Sequence, residues 1–187
     1  MNKHRCPWAK APLEIEYHDT EWGRETHNDQ ILFEYLVLEG MQAGLSWSLI
    51  LKKRENFKRA FNNFDYNICA DYTDEYLESL REDEGIIRNK LKIYSVRKNA
   101  LAFIKVQKEF GSFDKYIWSF TDYKKINNKL ENYKDAPSES ELSIKISKDL
   151  KKRGFSFVGG TIIYSYLQAI GMINDHEKGC FCYEECC

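Results

Sequence analysis

The sequence predicts an all-α fold that forms one domain over residues 1–187. Apolar residues recur at three- and four-residue steps along several stretches, and this spacing places them on one face of a helix. Glycine and proline are scarce, at 10 and 3 of 187 residues. With 43% hydrophobic and 30% charged residues, a chain of this length can bury a core. No stretch indicates a β-hairpin.

The first half of the chain contains three predicted helices. Residues 29–42 show the strongest pattern, because their apolar side chains mostly recur at helical spacing. Ser46 is a residue type that caps helix N-termini, and a second helix is predicted from there to Phe61. Thr73 is placed to cap a short helix that ends near Glu82.

The second half begins with a longer predicted helix, from Arg88 to about Phe110. Residues 119–137 are polar and lack periodicity, so we expect them to form mostly loop. Ser138 and Glu141 have the spacing of a capping box, which predicts a helix that continues to about Arg153.

A last helix is predicted from Thr161 to about Ile170. The β-branched pair Ile162-Ile163 is its least helical feature, because branching at Cβ restricts side-chain rotamers in a helix. The charged tail, residues 183–187, is expected to be frayed.

Charge and hydropathy restrict the classes of protein to which this chain can belong. No apolar run approaches the ~20 residues that span a bilayer, and the first 20 residues show no secretory signal. We therefore expect a cytoplasmic, monomeric protein without membrane attachment. The formal net charge is −1, so any binding of nucleic acid has to come from local basic patches.

Two Cys–His pairs lie at opposite ends of the chain: Cys6 with His18, and His176 with Cys180. Two thiolates and two imidazoles are typical of a closed, structural zinc site with no open position for chemistry. In a reducing compartment the cysteine-rich end favours a metal over disulfides. Cys182 and His4 are competing ligands, and incidental cysteines with a core histidine are the plain alternative.

Aromatic residues are concentrated near the first Cys–His pair, and the relevant ones are Trp8, Tyr17, Trp22 and Trp47. Proteins recognise bases by stacking them on flat rings and bonding their edges. Glu39 lies on the apolar side of the first strong helix, where a carboxylate is unfavourable without a partner. A ligand amine or a cationic ring would be such a partner. The alternative is an aromatic core with Glu39 paired to a lysine.

A basic helix end that contains Lys152 runs into Gly154, and Gly159-Gly160 precede the last helix. Glycine permits positive φ and close backbone approach, and amides at a helix start can bind a phosphate. Nearby lysines would add a salt-sensitive attraction to DNA. This pattern suggests a helix–hairpin–helix DNA contact, and an ordinary helical corner is the alternative.

Taken together, these motifs identify the sequence as similar to the DNA-3-methyladenine glycosylase I family of the helix–hairpin–helix glycosylases. The stretches that carry the resemblance extend from residue 6 to about residue 182 and are Tyr17-His-Asp-Thr-Glu-Trp-Gly23, Leu38-Glu-Gly-Met-Gln-Ala-Gly-Leu-Ser-Trp47, Leu51-Lys-Lys-Arg-Glu-Asn-Phe57, Gly85-Ile-Ile-Arg88, Lys151-Lys-Arg-Gly-Phe-Ser-Phe-Val-Gly159 and Asn174-Asp-His-Glu-Lys-Gly-Cys180.

The resemblance implies an all-α helix–hairpin–helix DNA glycosylase fold with one structural Zn²⁺ that joins the terminal segments. The implied zinc ligands are Cys6, His18, His176 and Cys180. It also implies that Glu39 contacts the damaged base, within a pocket formed by Trp8, Tyr17, Trp22 and Trp47. Leu45, in the turn before Trp47, is our candidate for a wedge into the DNA stack, and an ordinary core leucine is the alternative. Lys152, Gly154, Gly159 and Gly160 are the remaining candidate DNA contacts.

The implied activity is base-excision repair of double-stranded DNA that contains alkylated bases. The enzyme would hydrolyse the N-glycosidic bond of 3-methyladenine and leave an abasic site. No lysine stands out as a nucleophile, so lyase activity is not expected. A non-catalytic, zinc-stapled module that binds damaged DNA is the alternative, and a metal-buffering protein based on the cysteine-rich tail is a third class.

Two further residues carry specific expectations. Many members of the family have an aromatic residue where this chain has Glu14, so one pocket wall is expected to be more polar. Asp175 precedes His176, and we expect it to support the metal ligands or to cap a helix.

Overall fold

Helices dominate the computed structural model, which describes residues 3–187. The α-helices of this range are α1 (Pro12–Thr20), α2 (Asp29–Gln42), α3 (Trp47–Ala60), α4 (Tyr66–Ala70), α5 (Asp74–Ser79), α6 (Lys90–Phe110), α7 (Phe113–Trp118), α8 (Glu141–Lys152) and α9 (Gly160–Ala169). Within these residues no helix is both long enough and apolar enough to cross a bilayer.

Helix α2 is the central helix of the fold, and it contacts α3, α6, α7 and α9. Asn28 caps it, because its Oδ1 accepts hydrogen bonds from the amides of Gln30 (3.0 Å) and Ile31 (3.2 Å). Most of its side chains from Leu32 to Met41 are buried. The predicted bounds of 29–42 are confirmed, and Glu39 lies deep in this helix.

Side-chain caps fix most of the other helix starts. Ser46 caps α3 and Thr73 caps α5, as the sequence predicts. Helix α6 begins at Lys90 and not at Arg88, because Asn89 accepts a hydrogen bond from the amide of Lys92 (3.1 Å) and so becomes the cap.

The predicted capping box of Ser138 and Glu141 is wrong by two residues. Ser140 is the cap of α8, and its Oγ accepts from the Ser143 amide (3.1 Å), while Ser143 Oγ accepts from the Ser140 amide (2.9 Å). Glu141 is instead the first residue of the helix. The error arises because Ser138 and Ser140 are both acceptable cap residues, and local sequence does not distinguish them.

Two short strands depart from the all-α prediction. β1 (Ile126–Asn127) and β2 (Ile173–Asn174) pair in parallel, with Ile126 opposite Ile173. The pairing ties the mostly irregular segment 119–137 to the chain that follows α9. Sequence periodicity does not reveal strands of two residues. Ile162 and Ile163, in contrast, are helical, since both lie in α9.

The chain end is packed, so the expectation of a frayed tail over 183–187 is not met. Residues Glu184–Cys186 form a 3₁₀ turn, and Cys186 is buried. The carbonyl of Tyr183 accepts a hydrogen bond from Asn174 Nδ2 (3.2 Å), and Glu185 pairs with Arg24 (2.7 Å). Cys187, the last residue, is exposed.

Asp29 joins the starts of two helices. It is the first residue of α2, and its carboxylate accepts from the amides of Phe113 (2.9 Å) and Asp114 (2.8 Å), which begin α7. Gln107 Nε2, near the end of α6, donates to the same carboxylate (2.6 Å). One negative charge thus serves two helix N-termini, where it is electrostatically favoured.

Replacing Asp29 should therefore destabilise the fold. Asp29→Ala leaves two amides and an amide side chain without their acceptor, and we expect the free energy of unfolding to fall by about 2–3 kcal/mol. Urea denaturation measures this change. The control is Asp71→Ala at an exposed helix end, expected to change stability by under about 0.5 kcal/mol. Equal stability of the two variants would contradict this role of Asp29.

Candidate active site and metal centre

A cavity of about 180 Å³ opens beside α2 and contains every residue that the sequence predicts for the pocket. Its lining residues are Trp8, Glu14, Tyr17, Trp22, Glu39, Trp47, Tyr133, Ser165 and Gln168. The volume is below the ~300–1,000 Å³ of sites for drug-sized ligands, so it suits one small ring system.

Five parts of the fold supply the aromatic walls. Tyr17 comes from α1, Trp47 is the first residue of α3, and Trp8 and Trp22 flank α1. The rings of Tyr17 and Trp47 lie 5.2 Å apart between centroids, and those of Trp8 and Trp22 lie 5.0 Å apart, edge to face. Tyr133 completes the wall beside the two tryptophans, with centroids 6.5 Å from Trp8 and 6.0 Å from Trp22.

Four buried polar atoms in this cavity have no hydrogen-bond partner among residues 3–187. They are Trp8 Nε1, Tyr17 Oη, Glu39 Oε2 and Trp47 Nε1. An unpartnered buried polar group costs about 1–3 kcal/mol, and most buried groups in proteins are bonded. The concentration of these atoms in a single cavity indicates a site that is complementary to a ligand with both donors and acceptors.

Burial raises the pKa of Glu39 to about 8, so the free protein carries a largely neutral Glu39 at pH 7. Burial also raises the pKa of Tyr17 well above its ordinary value and that of Tyr133 to about 12. The cavity therefore contains few charges of its own, and a bound cation would favour the carboxylate form of Glu39.

Glu14 lies on the cavity wall, as the sequence predicts. Its Oε2 accepts from the amides of Ala11 (3.0 Å) and Lys10 (3.1 Å), and the bond from Ala11 is the main reason that its pKa is lowered. The wall that Glu14 forms thus carries an ionised carboxylate.

Four ligand atoms from the two chain ends converge in a separate, buried cluster: Cys6, His18, His176 and Cys180. All of these atoms lie within 4.8 Å of one another. Cys180 Sγ is 3.4 Å from His18 Nε2 and 3.5 Å from His176 Nδ1, and Cys6 Sγ is 3.6 Å from His176 Nδ1. This group can hold a metal ion.

Neighbouring acceptors orient both imidazole rings. His18 Nδ1 donates to Asp19 Oδ1 (2.9 Å), and His176 Nε2 donates to the carbonyl of Trp22 (3.2 Å). In this tautomer the other nitrogen of each ring points its lone pair at the thiols, which is the arrangement that a metal ligand needs. Gly23 permits it, since a Cβ there would lie 2.9 Å from His176 Nε2.

The competing ligands lie outside this cluster, and Cys182 forms a second possible metal-binding group with His18 and Asp19. The pKa of Cys180 is lowered, first by a hydrogen bond from the Cys6 thiol, so a thiolate is favoured there. Cys182 is outside the four-ligand group, and its thiol lies 3.9 Å from the carbonyl of His18. His4 is bonded to Glu177 (3.3 Å).

Asp175 does not support the metal ligands, contrary to our expectation from the sequence. Its Oδ2 accepts from Tyr164 Oη (2.6 Å) and Gln168 Nε2 (2.7 Å), and its Oδ1 accepts from Asn128 Nδ2 (2.6 Å). None of these donors belongs to the Cys–His cluster. The carboxylate lies behind the cavity wall, next to Gln168.

Leu45 is 39% exposed to solvent and lies in the turn between α2 and α3. A second cavity of about 300 Å³ lies beside it and shares Glu39 and Ser165 with the first. The side chain of Leu45 is thus at the entrance to the aromatic cavity.

The turn between α8 and α9 is open where the sequence predicts DNA contacts. Gly154 has φ +96°, and a Cβ added at Gly154 or Gly159 would meet no atom of residues 3–187 within 4 Å. Lys152 is exposed at the end of α8. Gly160 differs, because a Cβ there would lie 2.5 Å from Glu139 Oε2.

The sequence did not indicate that α6 supports both of these turns. Lys92 Nζ donates to the carbonyls of Met41 (2.8 Å) and Ala43 (2.7 Å), just before Leu45. Seven residues on, Asn99 exchanges two hydrogen bonds with the backbone of Ser156. The sequence does contain a signal for this role, because Lys92 and Asn99 are polar residues on the buried face of a long amphipathic helix.

Known proteins resemble this chain over almost its whole length. A family model described as methyladenine glycosylase matches residues 8–183. A DNA-3-methyladenine glycosylase 1 of Escherichia coli (strain K12) is 43% identical over 180 residues, which cover 96% of both chains. A DNA-3-methyladenine glycosylase of Haemophilus influenzae is 41% identical over 179 residues, covering 95% of this chain and 97% of the relative.

The three-dimensional match is equally extensive. The solved structure of 3-methyladenine DNA glycosylase I from Staphylococcus aureus that addresses 3-methyladenine recognition superposes with a TM-score of 0.93, at 32% identity and with 96% of each chain covered. Sequence and fold agree across nearly all of the described residues, and the chain therefore belongs to the methyladenine glycosylase family.

Proposed function

We propose that this protein hydrolyses the N-glycosidic bond of 3-methyladenine in double-stranded, alkylated DNA. It releases the free base and leaves an abasic site. The named relatives are 3-methyladenine DNA glycosylases, and the Staphylococcus aureus structure concerns recognition of that base. The family match supports the class of reaction, and the cavity supports the choice of ligand.

The observation that carries the proposal is the set of four unpartnered polar atoms in an aromatic cavity. Two indole N–H groups, one phenol and one carboxylate oxygen suit a ring that has donors and acceptors on its edge. Aromatic faces of Trp and Tyr attract a cation that stacks on them. A purine methylated at N3 is flat, carries positive charge and has an exocyclic amine, so it meets each requirement.

In the proposed reaction the base leaves the stack and enters the cavity, which costs a few kcal/mol and least for a damaged base. Methylation already makes the purine a good leaving group, so strong acid catalysis is unnecessary. Glu39, as a carboxylate, would accept a hydrogen bond from the exocyclic amine and stabilise the cationic ring. Water then attacks the sugar carbon. The buried Lys92 is bonded to backbone carbonyls, which supports a reaction without a lysine nucleophile.

We further propose that the Cys–His cluster binds one structural Zn²⁺. Zinc bond lengths of ~2.3 Å to sulfur and ~2.0 Å to nitrogen place the ligand atoms of a tetrahedron about 3.5 Å apart. The sulfur–nitrogen distances of 3.4–3.6 Å agree with that spacing. Four protein ligands leave no open position, so the ion would stabilise the fold and take no part in the reaction.

For the DNA contacts we propose that Leu45 inserts beside the flipped nucleotide. Lys152, Gly154, Gly159 and Gly160 would lie against the phosphate backbone. The open surface at two of these glycines and the exposure of Lys152 support this arrangement. The carboxylate of Glu139 next to Gly160 would have to move for a phosphate to approach that helix end.

Glu39→Gln should abolish most base release and stabilise the fold. Burial raises the pKa of Glu39 above its unfolded value, so the native state loses stability as pH rises from about 4.5 to 8. The neutral variant avoids this loss, so its gain in stability over the wild type is largest above pH 8. We expect release of 3-methyladenine from methylated DNA to fall at least ~100-fold, with higher unfolding free energy at pH 8.

Glu34→Gln is the matched control, since Glu34 lies on the same helix and pairs with Arg54 (2.7 Å) away from the cavity. It should keep wild-type base release. Full activity of Glu39→Gln would remove Glu39 from the reaction. Binding of damaged DNA without any release of base by the wild type would favour the non-catalytic module.

The rate should depend on pH through Glu39. With a pKa of about 8 in the free enzyme, the carboxylate that binds the cationic base becomes scarcer as pH falls below 8. We therefore expect kcat/KM to rise several-fold per unit from pH 6 to 8 and to level off above. Single-turnover and steady-state assays of base release measure the profile. A flat wild-type profile over this range would contradict the assignment.

Metal analysis of the purified protein should find one equivalent of zinc per chain. Cys6→Ser should lose the ion and unfold at lower temperature, because a structural site contributes folding free energy. Cys182→Ser, at a buried cysteine outside the four-ligand group, should retain the ion. Zinc-free, folded and active wild-type protein would refute the proposal, and loss of zinc from Cys182→Ser would redefine the ligand set.

A further inference from the structure

Gln168 forms part of the cavity wall, and residues behind this wall hold it in place through hydrogen bonds. It belongs to α9, is 6% exposed, and lines the same cavity as Glu39. Its Nε2 donates to Asp175 Oδ2 at 2.7 Å. Its backbone carbonyl accepts from the amide of Gly23 (3.1 Å), next to Trp22. Both ends of this residue are therefore tied to groups around the cavity.

Asp175 fixes the orientation of the side-chain amide of Gln168. Carboxylate oxygens accept hydrogen bonds from N–H and O–H groups. Asp175 is 1% exposed and is surrounded by three donors, from Asn128, Tyr164 and Gln168. Turning the Gln168 amide over would bring its carbonyl oxygen against this carboxylate. The NH₂ group consequently faces Asp175, and Oε1 is the amide atom left for the cavity.

Glu39 Oε2 has no hydrogen-bond partner among residues 3–187. With the NH₂ group of Gln168 turned to Asp175, Oε1 is a second acceptor for a base, beside the hydroxyls of Tyr17 and Ser165 on the same wall. The exocyclic amine of 3-methyladenine has two N–H donors. In 3-methylguanine a carbonyl oxygen occupies the corresponding position of the ring. Placing that oxygen against an acceptor leaves both without a donor in a buried site, which disfavours the guanine strongly.

We propose that Gln168 is a specificity-determining residue that selects methylated adenine over methylated guanine, with Asp175 as the positioning residue that locks its amide. This inference rests on the proposed function, since it assigns a role to a further residue of the same cavity. Asp175 acts through Gln168 and touches no substrate.

The test measures the release of 3-methyladenine and 3-methylguanine from the same dimethyl-sulfate-treated DNA. Gln168→Met keeps the size of the side chain and removes its acceptor. We expect kcat/KM for 3-methyladenine to fall about tenfold. The value for 3-methylguanine should hold or rise, so the adenine-to-guanine ratio falls at least ~10-fold.

Asp175→Asn tests the lock separately. An Asn side chain can either donate or accept, so the Gln168 amide is free to turn over. The ratio should fall in this variant too, with less loss of 3-methyladenine release than in Gln168→Met. The matched control is Gln107→Met, which breaks another Gln–Asp bond (2.6 Å, to Asp29) away from the cavity and should keep the wild-type ratio.

Thermal unfolding of each variant shows whether it is folded, and an unchanged ratio in either folded cavity variant overturns the proposal. An equal loss for both bases overturns it as well, because it would indicate a role in the common chemical step. Binding of the free bases, followed by tryptophan fluorescence, separates this inference from the proposed function. A wild type that prefers 3-methyladenine in binding yet releases no base refutes hydrolysis alone. Equal affinity for the two bases refutes the selectivity.

Discussion

Residues from the two ends of the chain hold the aromatic walls of the cavity in place. His18 directly follows Tyr17, and its ring lies 5.4 Å from that of Trp8. His176 donates to the carbonyl of Trp22, and its ring lies 4.5 Å from the indole. The Cys–His cluster and the cavity thus share a set of contacting rings. A change that loosens the cluster would displace three aromatic walls at once, although no residue of the cluster faces the ligand.

The cavity works against the stability of the fold that contains it. Glu39 is placed in a largely buried helix with one carboxylate oxygen unpartnered among residues 3–187. Three hydrogen-bond donors of the same cavity are also unpartnered. Each such atom subtracts from the stability gained by packing the core. A cationic, flat ligand would satisfy these atoms together. The same interactions that select the ligand would then restore stability to the protein, so binding and folding are linked.

Local sequence patterns predicted six of the nine α-helices of residues 3–187 and missed α1, α4 and α7. They predicted the contacts between distant segments poorly. Apolar periodicity and a good cap located α2 and α3, because both signals lie within a few residues. The strand pair that joins 126–127 to 173–174 left no local trace. Of the pocket residues found in advance, Tyr17, Trp22, Glu39 and Trp47 lie in motifs that resemble the family, and Trp8 lies outside them. Gln168 lies in no such motif, and only its hydrogen bond to Asp175 in the structure indicates its role.

Helix α6 is the common support of the two turns that we propose to face DNA. Lys92 and Asn99 lie seven residues apart, two turns of one helix face, and they hold the backbone near Leu45 and at Ser156. The two turns are thereby fixed at one separation on a rigid element, so a duplex whose relaxed form does not match this separation would have to bend to reach both. The ease of bending differs among base steps and is greatest at pyrimidine–purine steps. The efficiency of repair would therefore vary with the bases that flank a lesion, even where the protein touches none of them.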